Sequence, residues 1–257
     1  MECFVHADKK YFPEYNWFEK AISYPYKAPT TSFTFKNGKF YRGIHISLKD
    51  RVPILSIGSN RSPYQLKNKF GVKENLCVTP AKLYNSVIVY AASMSAYGSI
   101  PATQWPCEGS VSDLNLLWLN QDQLQIMHLS EGLGIAYHYV ELDKNTVTIQ
   151  EDDYSGPIFG YISTRGGYLF DGNEPFRLKN IKSNTNTHSS INEYQALNKL
   201  FLENPDGQTS LETWLKNFIS NKSKRFSLID KMSKKSLLPK HVPWKILDLK
   251  VSGNNIY

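Results

Sequence analysis

The chain has 257 residues, of which 41% are hydrophobic and 13% aromatic. This is enough for one substantial core with an appended subdomain, and it argues against a disordered chain. No stretch reaches the roughly eighteen apolar residues that a membrane span needs, so we expect no membrane partner. The net charge is +7, and much of it lies between Lys222 and Lys240. We interpret that segment as a solvated face or a flexible segment.

The sequence contains no pattern typical of a metal or cofactor site. Cys3, Cys77 and Cys107 are odd in number, and no pair has CxxC spacing, so neither a disulfide framework nor a zinc site is indicated. The six histidines show no metal or triad spacing, and His128 is the one nearest the site described below. We therefore expect no metal and no cofactor.

The N-terminal residues and the net charge indicate where we expect the protein to be located and what it can bind. Met1 to His6 lack the basic and apolar regions of a signal peptide, so we expect a cytoplasmic protein. The positive charge suits an anionic small molecule or a nucleic acid. No nucleic-acid motif accompanies it, which disfavours a nucleic-acid partner without excluding it. No feature of the sequence indicates an oligomeric state.

The first fifty residues are rich in aromatic side chains, which we expect to serve as core or packing surface instead of stacking on bases. A short helix is predicted over 17–22, ending before Pro25. Alternating apolar residues on both sides of Asn37-Gly38 predict a β-hairpin. We interpret residues 1–50 as an aromatic N-terminal extension.

A buried strand is predicted over 52–57, and it runs directly into Gly58-Ser59-Asn60. Ser62 and Pro63 fit the N-cap and first position of a helix that Gly71 ends. Glycine lets successive backbone N–H groups point at one place, and a following helix adds its positive dipole end. We therefore expect an anion cradle for a carboxylate or phosphate, although an ordinary turn has the same local sequence.

Further strands are predicted at 81–90, around 100–103, at 113–119, at 136–142 and at 146–150. Asn120 is predicted to cap a helix that ends at Glu131, just before Gly132. The helix dipole disfavours a negative charge at that end, and apolar neighbours raise the pKa of a carboxylate, as a general base near neutrality requires. The alternative is a solvated glutamate before a glycine C-cap.

The remainder of the chain is predicted to be largely helical. Residues 151–176 are rich in turn signals, and 180–190 form a polar connector. Amphipathic patterns predict helices over 190–203 and 210–220. We expect three regions: the extension 1–50, a core at 51–176, and a basic helical extension at 177–257.

These features follow one another in the order typical of the γ-glutamylcyclotransferase-like superfamily. The matching segments are Gly58-Ser59-Asn60 after its strand, 81–90, 98–103, 114–119, and 123–132 with the Tyr-containing strand 137–140. The chain resembles a divergent member with extensions at both ends. The resemblance implies an α+β fold, namely a small mixed β-barrel or sheet with flanking helices, plus a C-terminal helical extension.

The same resemblance implies a reaction and a site. The α-carboxylate and amino end of a γ-glutamyl group would be bound by Ile57, Gly58, Ser59 and Asn60. Glu131 would be the acid/base, and Tyr137 would line the pocket. The substrate would be a small molecule with a carboxylate or amide, whose amine attacks its own γ-carbonyl and leaves 5-oxoproline without a cofactor.

Three departures and one alternative accompany this interpretation: His128 stands where an aspartate is expected, Asp113 stands where the family often has a glycine, and the third is at Ile57. Ile57 stands where the family usually has a tyrosine, so the backbone N–H is kept and a hydroxyl is lost. The alternative is a non-catalytic binding protein that uses the cradle and the basic surface for an anionic ligand or nucleic acid.

Overall fold

A computed structural model describes residues 9–149 and 154–247. The predictions that concern Met1–His6, which include Cys3, and Gln150 lie outside the described residues. The described part has six α-helices and thirteen strands. The helices are α1 (Trp17–Ile22), α2 (Pro63–Phe70), α3 (Gln121–Ser130), α4 (Glu193–Glu203), α5 (Leu211–Ser220) and α6 (Lys222–Lys234). The strands are β1 (Phe33–Lys36), β2 (Lys39–Arg42), β3 (Val52–Ser56), β4 (Leu76–Tyr90), β5 (Ala102–Leu119), β6 (Tyr137–Leu142), β7 (Val147–Ile149), β8 (Phe159–Ser163), β9 (Gly167–Tyr168), β10 (Arg177–Leu178), β11 (Ser190–Ile191), β12 (Ser236–Leu237) and β13 (Trp244–Ile246).

Eleven of these strands form one mixed sheet, which confirms the predicted α+β class. Its order is β11-β10-β4-β5-β3-β8-β6-β13, while β1 and β7 also pair with β4 and β2 pairs with β1. The two remaining strands, β9 and β12, pair with each other. Within the residues that the structure describes, the sheet is open and does not close into a barrel.

The predicted hairpin in the N-terminal region is confirmed. Asn37 and Gly38 have φ of 49° and 73°, the positive values that a tight two-residue hairpin turn requires. Strand β1 also pairs with β4, so the hairpin belongs to the main sheet. Phe33, Phe35 and Phe40 are buried together in one core cluster, as expected for packing residues.

The strands predicted around 100–103 and at 113–119 both form, but as parts of one element whose continuity was not expected. The segments at 100–103 and 113–119 lie in and around one long strand, β5, which pairs with β4 along nearly its whole length. Residues 107–110 bulge out opposite Asn85, whose side chain accepts a hydrogen bond from Gly109 N–H at 2.9 Å. The pairing therefore continues past a segment that looks like a turn.

Strand β8 was missed because its short apolar run lies among turn residues. It pairs in parallel with β3, through Ile54 and Phe159, and antiparallel with β6. This places β3 inside the sheet, with β5 on its other side. The C-terminal end of β3, where Gly58 follows, is therefore held by neighbours on both sides.

The two helices beside the predicted site begin and end as expected. Helix α2 starts at Pro63, although Ser62 makes no capping bond with its side chain. A 3₁₀ turn over Ser59–Arg61 contains two of the three cradle residues and precedes α2. Asn120 caps α3 through a reciprocal capping box with Gln123.

The basic C-terminal segment forms a folded helix, α6, so the flexible alternative is excluded for Lys222–Lys234. Leu228, Ile229 and Met232 are buried on one face, and most lysines lie on the solvated face. These residues share a core cluster with helices α4 and α5 and with Tyr24 of the N-terminal region. The division at 50 and 176 stays a prediction.

Candidate active site

A cavity of about 910 Å³ opens between the end of β3 and the end of α3. Its lining includes all six residues that the sequence pointed to, namely Ile57, Gly58, Ser59, Asn60, Glu131 and Tyr137. The cavity lies within the size range of small-molecule sites. The cradle and the acid therefore share one cavity, as the motif order predicts.

Glu131 is fixed at the cradle through one of its two carboxylate oxygens. The Nδ2 of Asn60 donates a hydrogen bond to Glu131 Oε1 at 3.0 Å, and the ammonium of Lys69 pairs with the same oxygen. The side chains of Lys69 and Glu131 are only 7% and 15% exposed. No described residue bonds Oε2, so this oxygen is available to take a proton.

Lys69 was missed by sequence reasoning. It lies in α2, and its ammonium also contacts Met127 Sδ of α3 at 3.3 Å. A weak signal was present: Leu66 and Phe70 form the buried face of α2, and helical spacing places Lys69 beside that face. A lysine so placed needs an acidic partner, but only the packing of α2 on α3 identifies Glu131 as that partner.

The cradle offers several polar groups that have no protein partner. The first N–H groups of a 3₁₀ turn lack acceptors within the turn. The amides of Gly58, Ser59 and Asn60 donate to no other described residue. Asn60 Oδ1 is buried without a hydrogen bond. The three backbone N–H groups therefore form a site with donors for an anion.

Gly58 is required because Tyr24 packs directly against its backbone. A Cβ at Gly58 would lie 2.2 Å from the Tyr24 hydroxyl oxygen. That hydroxyl accepts a hydrogen bond from Ala102 N–H at 2.9 Å, while the Tyr137 hydroxyl donates to the carbonyl of Ala102 at 3.1 Å. Two tyrosines thus fix the start of β5 beside the cradle. Tyr24 was not predicted to be part of the site.

Substitution of Gly58 by alanine is expected to destabilise the protein by about 1–3 kcal/mol, the usual cost of overpacking a close contact. The added methyl group must displace Tyr24 and weaken its bond to Ala102. Urea unfolding measures the effect. Gly160→Ala is the matched control, because its Cβ would meet Val140 at an ordinary 3.8 Å. Equal stability of the two variants would contradict the expected clash.

The tyrosines around Glu131 remain protonated. Burial raises the pKa of Tyr97, Tyr137 and Tyr161, and the nearby Glu131 carboxylate raises it further. The Tyr161 hydroxyl is 2.7 Å from His128 Nδ1, and burial lowers the pKa of His128. His128 is not part of the cavity lining and packs behind it. The carboxylate is therefore surrounded by neutral groups and one cation, Lys69.

The described residues contain neither a metal-binding cluster nor a membrane-spanning helix. Among residues 9–149 and 154–247, no group of three or more His, Cys, Asp or Glu side chains is placed to bind a metal ion. In the same ranges, every helix is too short or too polar to cross a bilayer.

No protein-family model and no curated protein sequence matches the chain. Three solved structures resemble part of it. One, described as a gamma-glutamyl cyclotransferase, is 16% identical over 44% of this chain and 67% of its own, with a TM-score of 0.38. A solution structure from Arabidopsis thaliana is 15% identical, covering 46% and 74%, with a TM-score of 0.35. A crystal structure of an uncharacterized Homo sapiens protein is 17% identical, covering 45% and 68%, with a TM-score of 0.36. Each of these likenesses covers less than half of this chain.

Proposed function

We propose that this chain is a γ-glutamylcyclotransferase-like enzyme that releases 5-oxoproline from a γ-glutamyl amide. The observation that carries the proposal is the 3.0 Å hydrogen bond from Asn60 Nδ2 to Glu131 Oε1. It joins the cradle to the acid inside one cavity. A base and an anion site at this separation suit a substrate that has a carboxylate and an amine on the same carbon atom.

The polar groups of the cradle can bind the end of the substrate that carries the α-carboxylate and the α-amine. The free N–H groups of Gly58, Ser59 and Asn60 are donors for the α-carboxylate. With the α-carboxylate bound there, the α-amine lies beside Glu131, which Asn60 holds at the cradle.

The reaction then needs one base and a folded substrate. Glu131 Oε2 takes a proton from the α-amine, and the amine nitrogen forms a bond to the γ-carbonyl carbon. The bond from that carbon to the original amide nitrogen breaks, and Glu131 returns the proton to the departing amine. The products are 5-oxoproline and a free amine. Because attacking and attacked groups belong to one molecule, positioning supplies much of the rate.

The proposal predicts that the purified protein releases 5-oxoproline from at least one member of a panel of γ-glutamyl amines and γ-glutamyl peptides. Chromatography with a 5-oxoproline standard measures the product. The α-glutamyl isomers of the same peptides are the control, because their amine cannot close a five-membered ring on the scissile carbonyl. Release from neither series would sink the proposal.

The non-catalytic alternative is favoured by a different observation, the excess of cationic side chains around the cavity. These side chains suit an anionic ligand whether or not it reacts. Binding of an anion without product release, with an affinity that falls steeply as salt increases, would support this alternative.

A further inference from the structure

Four cationic side chains line the cavity besides Lys69, and three of them come from outside the predicted core 51–176. Lys20 comes from α1, Lys222 and Arg225 come from α6, and Arg165 follows β8. All four line the same cavity as the cradle. The terminal extensions therefore complete the cavity wall, and they do so with positive charge.

The charge of Lys20, Arg165 and Arg225 is not balanced within the described lining. Glu131 is the one acidic side chain there, and it is already paired with Lys69. No carboxylate of the described residues lies within ion-pair distance of Lys20, Arg165 or Arg225. Cations in a partly enclosed cavity are stabilised by a bound anion. The cavity is therefore complementary to a ligand that carries negative charge beyond the group held by the cradle.

The two arginines are held in place by backbone carbonyls. Arg225 Nη1 donates to the carbonyls of Phe218 and Ile219 at 2.8 and 3.2 Å, at the end of α5. Arg165 Nη1 donates to the carbonyl of Ile135 at 3.3 Å. These bonds orient the guanidinium groups and leave further N–H donors unused. A guanidinium oriented in this way matches the two oxygens of a carboxylate.

The cationic region is connected to the cradle through Tyr97. The ammonium of Lys20 lies 5.0 Å from the centre of the Tyr97 ring, and the Tyr97 hydroxyl lies beside Ser59. A ligand that fills the cavity from Ser59 outward therefore passes Lys20 as it leaves the cradle.

We infer that the leaving half of the substrate is an acidic amine with more than one carboxylate, recognised by Arg165 and Arg225. This inference rests on the proposed function and deepens it, because it selects one class among the γ-glutamyl amides. Each arginine accounts for one carboxylate, and the 910 Å³ cavity is larger than a γ-glutamyl group alone requires. Neutral and cationic leaving amines are then poor substrates.

The test compares γ-glutamyl-glutamate with γ-glutamyl-glutamine, whose leaving halves have the same shape and differ by one carboxylate. We expect kcat/KM for the glutamate compound to be at least about tenfold higher, as for a charge-assisted hydrogen bond. One of the variants Arg165→Gln and Arg225→Gln should remove most of that preference, and the other, at the arginine that holds the carboxylate common to both dipeptides, should lower kcat/KM for both. Lys144→Gln, an exposed site outside the cavity, is the control for net charge.

Several outcomes separate this inference from the proposed function. Equal kcat/KM for the two dipeptides would overturn the inference and leave the activity established. The same holds if each of the two arginine variants lowers kcat/KM by the same factor for both dipeptides. Because Arg225 also holds α5, Lys20→Gln serves as a second test that removes no backbone bond. Turnover of other γ-glutamyl amides but of neither dipeptide would also overturn the inference. If no γ-glutamyl compound of the panel is turned over, the proposed function fails, and calorimetric titration of the two dipeptides decides whether the charge recognition holds. Tighter binding of the glutamate compound then upholds the charge recognition, and equal binding refutes it.

Discussion

Replacing Glu131 by glutamine is expected to lower kcat/KM for 5-oxoproline release by about 10²–10⁴-fold, the usual contribution of a general base. Glutamine keeps the shape of the side chain and its acceptor for Asn60, but it cannot take a proton at the second oxygen. Product release under single-turnover conditions measures the loss directly. We expect the bound substrate to remain in the cradle, so the effect should appear mainly in kcat.

The control for this variant is Asp122→Asn, which removes a carboxylate from the exposed first turn of the same helix. It is expected to leave the rate within about threefold of the wild type, because surface substitutions of this kind change stability little. If Glu131→Gln retains more than a tenth of the activity, Glu131 is not the base. Equal losses in both variants would point to the helix instead of its terminal carboxylate.

Glu131→Gln is also expected to lower the free energy of unfolding by about 3 kcal/mol, because it leaves the Lys69 ammonium buried without its counter-charge. Adding Lys69→Met should recover most of this loss, since methionine keeps the length of the side chain and removes the charge. Activity should stay low in the double variant. Urea unfolding of the wild type, both single variants and the double variant gives the coupling free energy.

Two results would contradict this second expectation. Additive losses of stability in the double variant would show that Lys69 and Glu131 do not depend on each other. Recovery of both stability and activity would show that the charge of Glu131 serves folding and not chemistry. The expected pattern, recovered stability without recovered activity, separates the two roles of one carboxylate.

The parts of the fold that follow from neighbouring residues were predictable. Asn37-Gly38 determines its hairpin, and Asn120 and Pro63 mark the starts of α3 and α2, because turn and cap preferences depend on a few adjacent residues. Strand β8 and the continuity of β5 were not predictable in this way. Their stability comes from pairing with β3 and β4, which no local pattern records.

The site shows the same division. The motif order placed Gly58 and Glu131 together, because it describes how successive strands and helices are arranged. It carried no information on Lys69 or Tyr24, since one depends on the packing of α2 on α3 and the other on a segment without counterpart in the resemblance. Ile57 lines the cavity as expected, but it has no hydroxyl group. The hydroxyl group of Tyr24 lies close to Gly58.

The position of α6 in the cavity wall has a consequence for the order in which the protein loses its properties on heating. Segments with few buried side chains open locally at a lower free energy than the strands at the centre of a sheet, and three of the 13 residues of α6 are buried. Opening of α6 removes Arg225 from the cavity, while β3, β5 and α3 keep the cradle and Glu131 in place. On the proposals above, warming therefore relaxes discrimination between substrates before it abolishes turnover.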